Sequence, residues 1–168
     1  DTDNIVFVID VSGSMRDEVR GDTKLATAKD EVVKVLTAMT KGQGKFNIVT
    51  FGTEPRSYQK TLQKTSKDNI RKATNWIMRL ETKGWTNIHD SLSMAMMTPG
   101  VESIFLLSDG APSTGRYVDM KQVHDTITAR NRSLLIRINT IAVGGDKRSR
   151  RFMKKLAEEN FGKNRDHN

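Results

Sequence analysis

Four dense apolar runs, set apart by segments with helical spacing, constrain the fold more than any other feature of this chain. Ile5-Val6-Phe7-Val8-Ile9 is unbroken and β-branched, which suits a central strand buried on both faces. Leu25, Ala28, Val32, Leu36 and Met39 then recur at helical spacing, with Asp22 or Thr23 available as cap. A turn at Gly42–Gly44 leads into a second strand, Phe46 to Phe51, and a short polar strand around Arg56-Ser57-Tyr58 suits a sheet edge. Ile70, Ala73, Ile77 and Leu80 mark one face of a second helix. Lys83 to Asn87 is a loop, and Asn87 can cap a helix carrying Ile88, Leu92 and Ala95, ended by Pro99-Gly100.

The pattern continues to the end. Ile104 to Leu107 is a buried strand closed by Ser108-Asp109-Gly110. Asp119 with Gln122 resembles a capping box for a helix bearing Met120, Val123 and Ile127. Ile138 to Val143 is a further strand, followed by a helix carrying Phe152, Met153 and Leu156. Strands alternating with helices predict an α/β fold: a doubly wound, mostly parallel sheet flanked by helices on both faces.

Length and composition narrow the function classes. One domain over 1–168 is expected, since single cores grow well beyond this size. Strand sequence begins at Ile5, almost at once, which reads as a domain cut from a longer parent. No run approaches the ~20 apolar residues of a membrane span. No basic start followed by an apolar stretch marks a signal peptide. Cysteine is absent, which removes disulfides and zinc–thiolate sites without fixing the compartment. The formal charge is +8, but its one dense cluster, Lys147 to Arg151 with Lys154-Lys155, falls at the start of the last helix. Its one aromatic residue, Phe152, belongs to the apolar face of that helix, so the exposed aromatic interleaving that single-strand binding requires is missing and nucleic acid is not the expected partner. Positive charge at a helix N-terminus is electrostatically awkward, which suggests that the cluster has a partner.

Three separated segments carry the chemistry: Asp10-Val11-Ser12-Gly13-Ser14, Trp85-Thr86-Asn87 and Ser108-Asp109-Gly110. In an open parallel sheet the loops leaving the carboxyl ends of the strands form the binding edge. If the strands ending at Asp10 and Asp109 are neighbours where the strand order reverses, both carboxylates enter one crevice. Such a pair is costly to bury unless a cation compensates. Ser12 and Ser14 lie two apart in a turn that Gly13 permits, and Thr86 can add a third hydroxyl from another loop. A hydroxyl and carboxylate set favours Mg²⁺, with Mn²⁺ or Ca²⁺ as alternatives. The absence of cysteine and of histidine pairs at ligand spacing argues against zinc.

These elements, in this order, resemble the metal-ion-dependent adhesion site of von Willebrand factor type A domains. The closest likeness is to bacterial members and to the inter-alpha-trypsin-inhibitor heavy-chain group, through Thr86-Asn87-Ile88 and Leu107-Ser108-Asp109-Gly110-Ala111-Pro112. The resemblance implies direct ligation by Ser12 and Ser14, and water-mediated ligation by Asp10 and Asp109. It implies that Thr86 binds directly in a ligand-competent form. It further implies a protein partner whose acidic side chain completes the ion's sphere, no enzymatic activity, a monomeric domain and a lean toward a cell-surface or secreted setting. Two departures stand out. Trp85 occupies a position where similar members have glycine, and Phe161 to Arg165 leads into a polar tail where the family sheet usually has a last strand, so that strand is expected to be short, altered or truncated.

Other readings compete. Asp10 and Asp109 could be helix caps. Ser12 or Ser14 could be a nucleophile in an Mg-dependent hydrolase, for which His89 is the histidine within range. A scaffold role in an ATP-driven machine such as a chelatase is the other alternative. Trp85 reads equally as a binding residue or as loop packing. Met94, Met96 and Met97 read as core and boundary filling. Arg16 and Arg20 are expected to be solvated, with steering of an acidic partner as the lesser alternative.

Overall fold

The computed structural model describes residues 4–39 and 44–167. The expected Gly42–Gly44 turn lies largely on residues outside that set. The chain runs β1 (Ile5–Asp10), a 3₁₀ turn at Gly13–Arg16, β2 (Glu18–Val19), β3 (Asp22–Thr23), α1 (Lys24–Met39) and β4 (Lys45–Phe51). It continues through β5 (Pro55–Ser57), β6 (Gln63–Lys64), α2 (Lys67–Met78), α3 (Ile88–Met96) and β7 (Ser103–Ser108). The last elements are α4 (Met120–Leu134), β8 (Arg137–Val143), α5 (Lys147–Glu158) and β9 (Asn164–His167).

The main sheet has the order β5-β4-β1-β7-β8-β9, with β6 also on β4. Strands β4, β1, β7, β8 and β9 are parallel, while β5 and β6 run antiparallel at the edge. The first crossover carries the chain from β1 out to β4; the next strands step away on the other side, through β7, β8 and β9. The order therefore reverses between β1 and β7, at the centre of the sheet.

The alternation of side chains along each strand divides the core. Val6 and Val8 of β1, Val49 and Phe51 of β4, and Ile104 and Leu106 of β7 meet α3, α4 and α5 through Leu92, Ile127 and Leu156. Ile5, Phe7 and Ile9 point the other way, joining Phe46 and Ile48 against Leu25, Val32 and Leu36 of α1 and Ile70 and Ile77 of α2. A sheet covered on both faces needs apolar residues at consecutive strand positions, which is why β1 reads as an unbroken run.

The helix starts follow the expected chemistry. Thr23 Oγ1 accepts the Ala26 amide at 3.1 Å, so Thr23 rather than Asp22 caps α1. Asn87 accepts from the Asp90 amide and Asp119 from the Gln122 amide. The basic start of α5 is relieved by Asp146, whose carboxylate accepts the Ser149 amide at 2.7 Å. That answers the electrostatic awkwardness from within the chain.

Two expectations need correction. Leu80 lies beyond the end of α2, half-buried. Met97 is not boundary filling: it caps the end of α3 with its side chain in solvent. The tail does form a strand, short as expected. β9 pairs parallel with β8, Arg165 reaches Glu31 on α1 at 3.1 Å, and His167 lies 3.7 Å from the same carboxylate. Its polarity is that of an edge strand, and the apolar signature of a central strand is missing for that reason. The two-residue strands β2, β3 and β6 left no periodic signal.

Candidate metal centre

Strand register brings the two carboxylates to one place. β1 and β7 are direct neighbours with Ile9 opposite Leu107, so Asp10 and Asp109 leave the same edge at adjacent positions. Both are buried. Asp10 is held from two sides: Oδ1 accepts the Ser12 amide at 2.8 Å, and Oδ2 accepts the Ser108 hydroxyl at 2.6 Å. Ser108 in turn accepts the Gly110 amide at 2.9 Å, which ties the loop after β7 to the same carboxylate. Neither aspartate caps a helix.

The serines follow from the turn after β1. Met15 is fully buried on the α1–α2 side, and this anchor winds Gly13–Arg16 into a 3₁₀ turn. The turn places Ser12 Oγ 3.3 Å from Ser14 Oγ. Adjacent corners of an octahedron with metal–oxygen arms of about 2.1 Å are about 3.0 Å apart, so this spacing is within a small adjustment of a ligand pair. Ser12 is buried and Ser14 is exposed, leaving the pair open on one side.

The third loop is stitched to the first. The Gly13 amide donates to Gly84 O at 3.0 Å, and the Lys83 amide donates to Val11 O at 2.6 Å. Close approach is possible because Gly52 lacks a Cβ; one added there would lie 2.1 Å from Lys83 O. Thr86 is buried two residues beyond Gly84, its amide bonded to Ser113 Oγ at 2.9 Å and its carbonyl accepting the Ser113 amide at 2.9 Å. It joins the group through these loop contacts; among the described residues its side chain makes no hydrogen bond to the other four. Trp85 does not pack over the loop. The residue is 66% exposed and is held by its backbone amide on Thr53 Oγ1.

Electrostatics at the pair are unbalanced. Burial, and then the nearby Asp109 charge, push the Asp10 carboxyl up to about 7 from an ordinary 3.8, although Ser108 and Ser12 pull the other way. Asp109 Oδ2 meets the Lys24 ammonium at 3.2 Å, while its Oδ1 is buried with no hydrogen-bond partner. A buried oxygen without a donor is costly and calls for an ion or water. Among the described residues, no three His, Cys, Asp or Glu side chains gather to hold a metal, so any ion here depends on the hydroxyls.

Sequence reasoning left three residues without roles. Ser108 and Ser113 act across 98 and 27 positions of chain, and Lys24 across 85. No local pattern signals such partners. The histidines, for their part, do not serve the serines. His89 Nδ1 lies 2.8 Å from Asp90 Oδ1 with its ring edge-on to Tyr117, and His124 Nδ1 lies 2.9 Å from Asp125 Oδ1. A hydroxyl nucleophile needs a base within hydrogen-bond reach, and neither histidine provides one to Ser12 or Ser14. Arg16, in solvent, donates to Thr82 Oγ1 at 3.3 Å.

A family model described as the von Willebrand factor type A domain matches residues 3–166. Mouse inter alpha-trypsin inhibitor, heavy chain 4 is 30% identical over 124 residues, covering 67% of this chain and 12% of that protein. Human von Willebrand factor A domain-containing protein 3B is 29% identical over 156 residues, covering 92% of this chain and 11% of that protein. The chain thus spans a small part of the length of these relatives. An aerotolerance-related membrane protein from Bacteroides fragilis superimposes with a TM-score of 0.75 at 16% identity, over 98% of this chain and 91% of that one. A von Willebrand factor type A protein from Catenulispora acidiphila gives a TM-score of 0.75 at 19% identity, over 98% of this chain and 38% of that one. At these identities the structural likeness is one of fold. On the family match and the sheet order together, this chain belongs to the von Willebrand factor type A domain family, as a protein-interaction module.

Proposed function

We propose that the domain grips an acidic group of a partner protein through a divalent cation at the β1–β7 edge. Ser12, Ser14 and Thr86 would hold the ion by their hydroxyls, and Asp10 and Asp109 would hold it through water. The observation that carries this reading is the buried Asp10–Asp109 pair, in which Asp109 Oδ1 has no donor and Asp10 is pushed up to about 7. Two carboxylates kept together out of water gain most from a hard positive charge. Hydroxyl and carboxylate oxygens, without thiolate or a histidine pair, suit Mg²⁺ or Mn²⁺; Ca²⁺, which takes more ligands, fits less closely.

A bound ion would supply positive charge toward which an outside carboxylate is drawn. The chain's own residues do the rest: Ser108 and the Ser12 amide fix Asp10, Met15 anchors the serine turn, and the Gly13–Gly84 bond sets the threonine loop beside it. Trp85, exposed next to Thr86, is placed to meet the partner around the ion.

Calorimetry on chelator-treated protein tests the reading. Uptake of one Mg²⁺ or Mn²⁺ is expected, with at least a tenfold loss of affinity in Ser12→Ala/Ser14→Ala, about 1.4 kcal/mol. Absence of uptake by the wild-type domain at millimolar ion would discard the metal-bridged mechanism.

A further inference from the structure

The carboxylate pair already has a cation of the protein's own. Lys24, the first residue of α1, lays its side chain across the turn after β8. A Cβ added at Gly144 would come within 2.9 Å of Lys24 Cε. The ammonium ends 3.2 Å from Asp109 Oδ2 and 3.5 Å from Asp17 Oδ2. The Lys24 side chain is only 12% exposed and that of Asp109 7%, whereas Asp17 is 70% exposed and screened by solvent. The contact that matters is therefore the one to Asp109. The two oxygens of Asp109 are divided: Oδ2 is taken by Lys24, and Oδ1 is buried with nothing to accept from.

Resting on the metal reading above, we propose that Lys24 is a resident counter-cation that weakens the site's hold on a divalent ion and thereby makes an acidic partner part of the complete assembly. The reasoning is one of charge balance. With the ion bound both carboxylates are ionised, and together with the one ammonium they supply a single negative charge, so the divalent ion carries one positive charge unanswered. One carboxylate from outside restores neutrality. Without Lys24 the two aspartates would balance the ion alone, and the ion would bind more tightly with less need of a further anion. Lys24 also occupies Asp109 Oδ2, which keeps that oxygen from turning toward the ion. Like charges in a partly buried site repel much more strongly than in water, so the effect on ion affinity is large enough to measure.

Lys24→Met keeps the length of the side chain and removes its charge; Lys24→Arg keeps the charge. Mg²⁺ titration by calorimetry is expected to show about tenfold tighter binding in Lys24→Met than in wild type, with Lys24→Arg close to wild type. Acetate, used as a stand-in for a partner carboxylate, is expected to raise Mg²⁺ affinity in wild type and to do so less in Lys24→Met, because coupling between two ligands is reciprocal. In EDTA, Lys24→Met is expected to melt at a lower temperature than wild type, and added Mg²⁺ to restore more than it does in wild type. Equal or weaker Mg²⁺ binding in folded Lys24→Met would overturn the role of Lys24 while leaving the metal reading intact. If neither protein takes up Mg²⁺ at millimolar concentration, both fall. Should Lys24→Met not fold, Lys24→Gln serves for the same comparison.

Discussion

Asp10 sets the pH behaviour of the metal-free domain. An unfolded chain releases its proton near pH 4, whereas the folded chain, with the carboxyl buried beside Asp109, keeps it until near pH 7. Between those values the folded state binds more protons than the unfolded one, so rising pH favours unfolding. In EDTA the melting temperature should fall from pH 5 to pH 7 through this group, at up to about 1.4 kcal/mol per pH unit, and the contribution should level off above pH 7. Asp10→Asn should flatten that slope. A profile in wild type that rises over the same range and is unchanged by Asp10→Asn would show that Asp10 is ionised throughout. The residues of this site divide by how far their partners lie along the chain. The Asp-x-Ser-x-Ser segment was legible because its members sit within one turn. Ser108 as a donor to Asp10, and Lys24 as the cation on Asp109, depend on contacts spanning 98 and 85 positions, which only the strand order brings about.

Elements were legible in proportion to their burial. The parallel strands β1, β4, β7 and β8 show continuous apolar runs because helices cover both faces, and α1 and α2 show helical spacing because one face of each meets the sheet. β9 has no such signature. Beyond its backbone pairing with β8, it is tied down by charge: Arg165 and His167 lie against Glu31, a buried carboxylate of α1. Burial alone would push the Glu31 carboxyl up, but Lys34, His167 and Arg165 together hold it below the ordinary range. Glu31→Gln should therefore loosen β9 more than the rest of the sheet. Hydrogen exchange is the measurement: amides of 164–167 should exchange severalfold faster in the variant, with β1 and β7 unchanged. Equal protection of β9 in both proteins would mean that its backbone pairing with β8 suffices.

The whole molecule is two apolar cores sharing one sheet, and β1 contributes side chains to both. Sequence pattern gave the class of this architecture, but the order of the strands is a property of the folded chain. The neighbourhood of β1 and β7 could be framed as a condition, and the register of Ile9 with Leu107 met it. A shared sheet predicts shared unfolding. Phe7→Ala on the α1–α2 side and Leu106→Ala on the other should each cost about 2–5 kcal/mol. Both should lower one common transition, not split it in two, as followed by calorimetry and near-UV circular dichroism. Two separated transitions in either variant would mean that the layers unfold independently.

Because the five strands β1, β4, β7, β8 and β9 point one way, the peptide reaches His167 at the same rim as Asp10, and the Gly144 amide bonds to His167 O there at 2.8 Å. Asn4 sits at the other end. Attaching the domain to a sensor surface or a bulky fusion through its carboxyl end would crowd the face that carries the proposed site, and a tether at the amino end leaves that face open to solution.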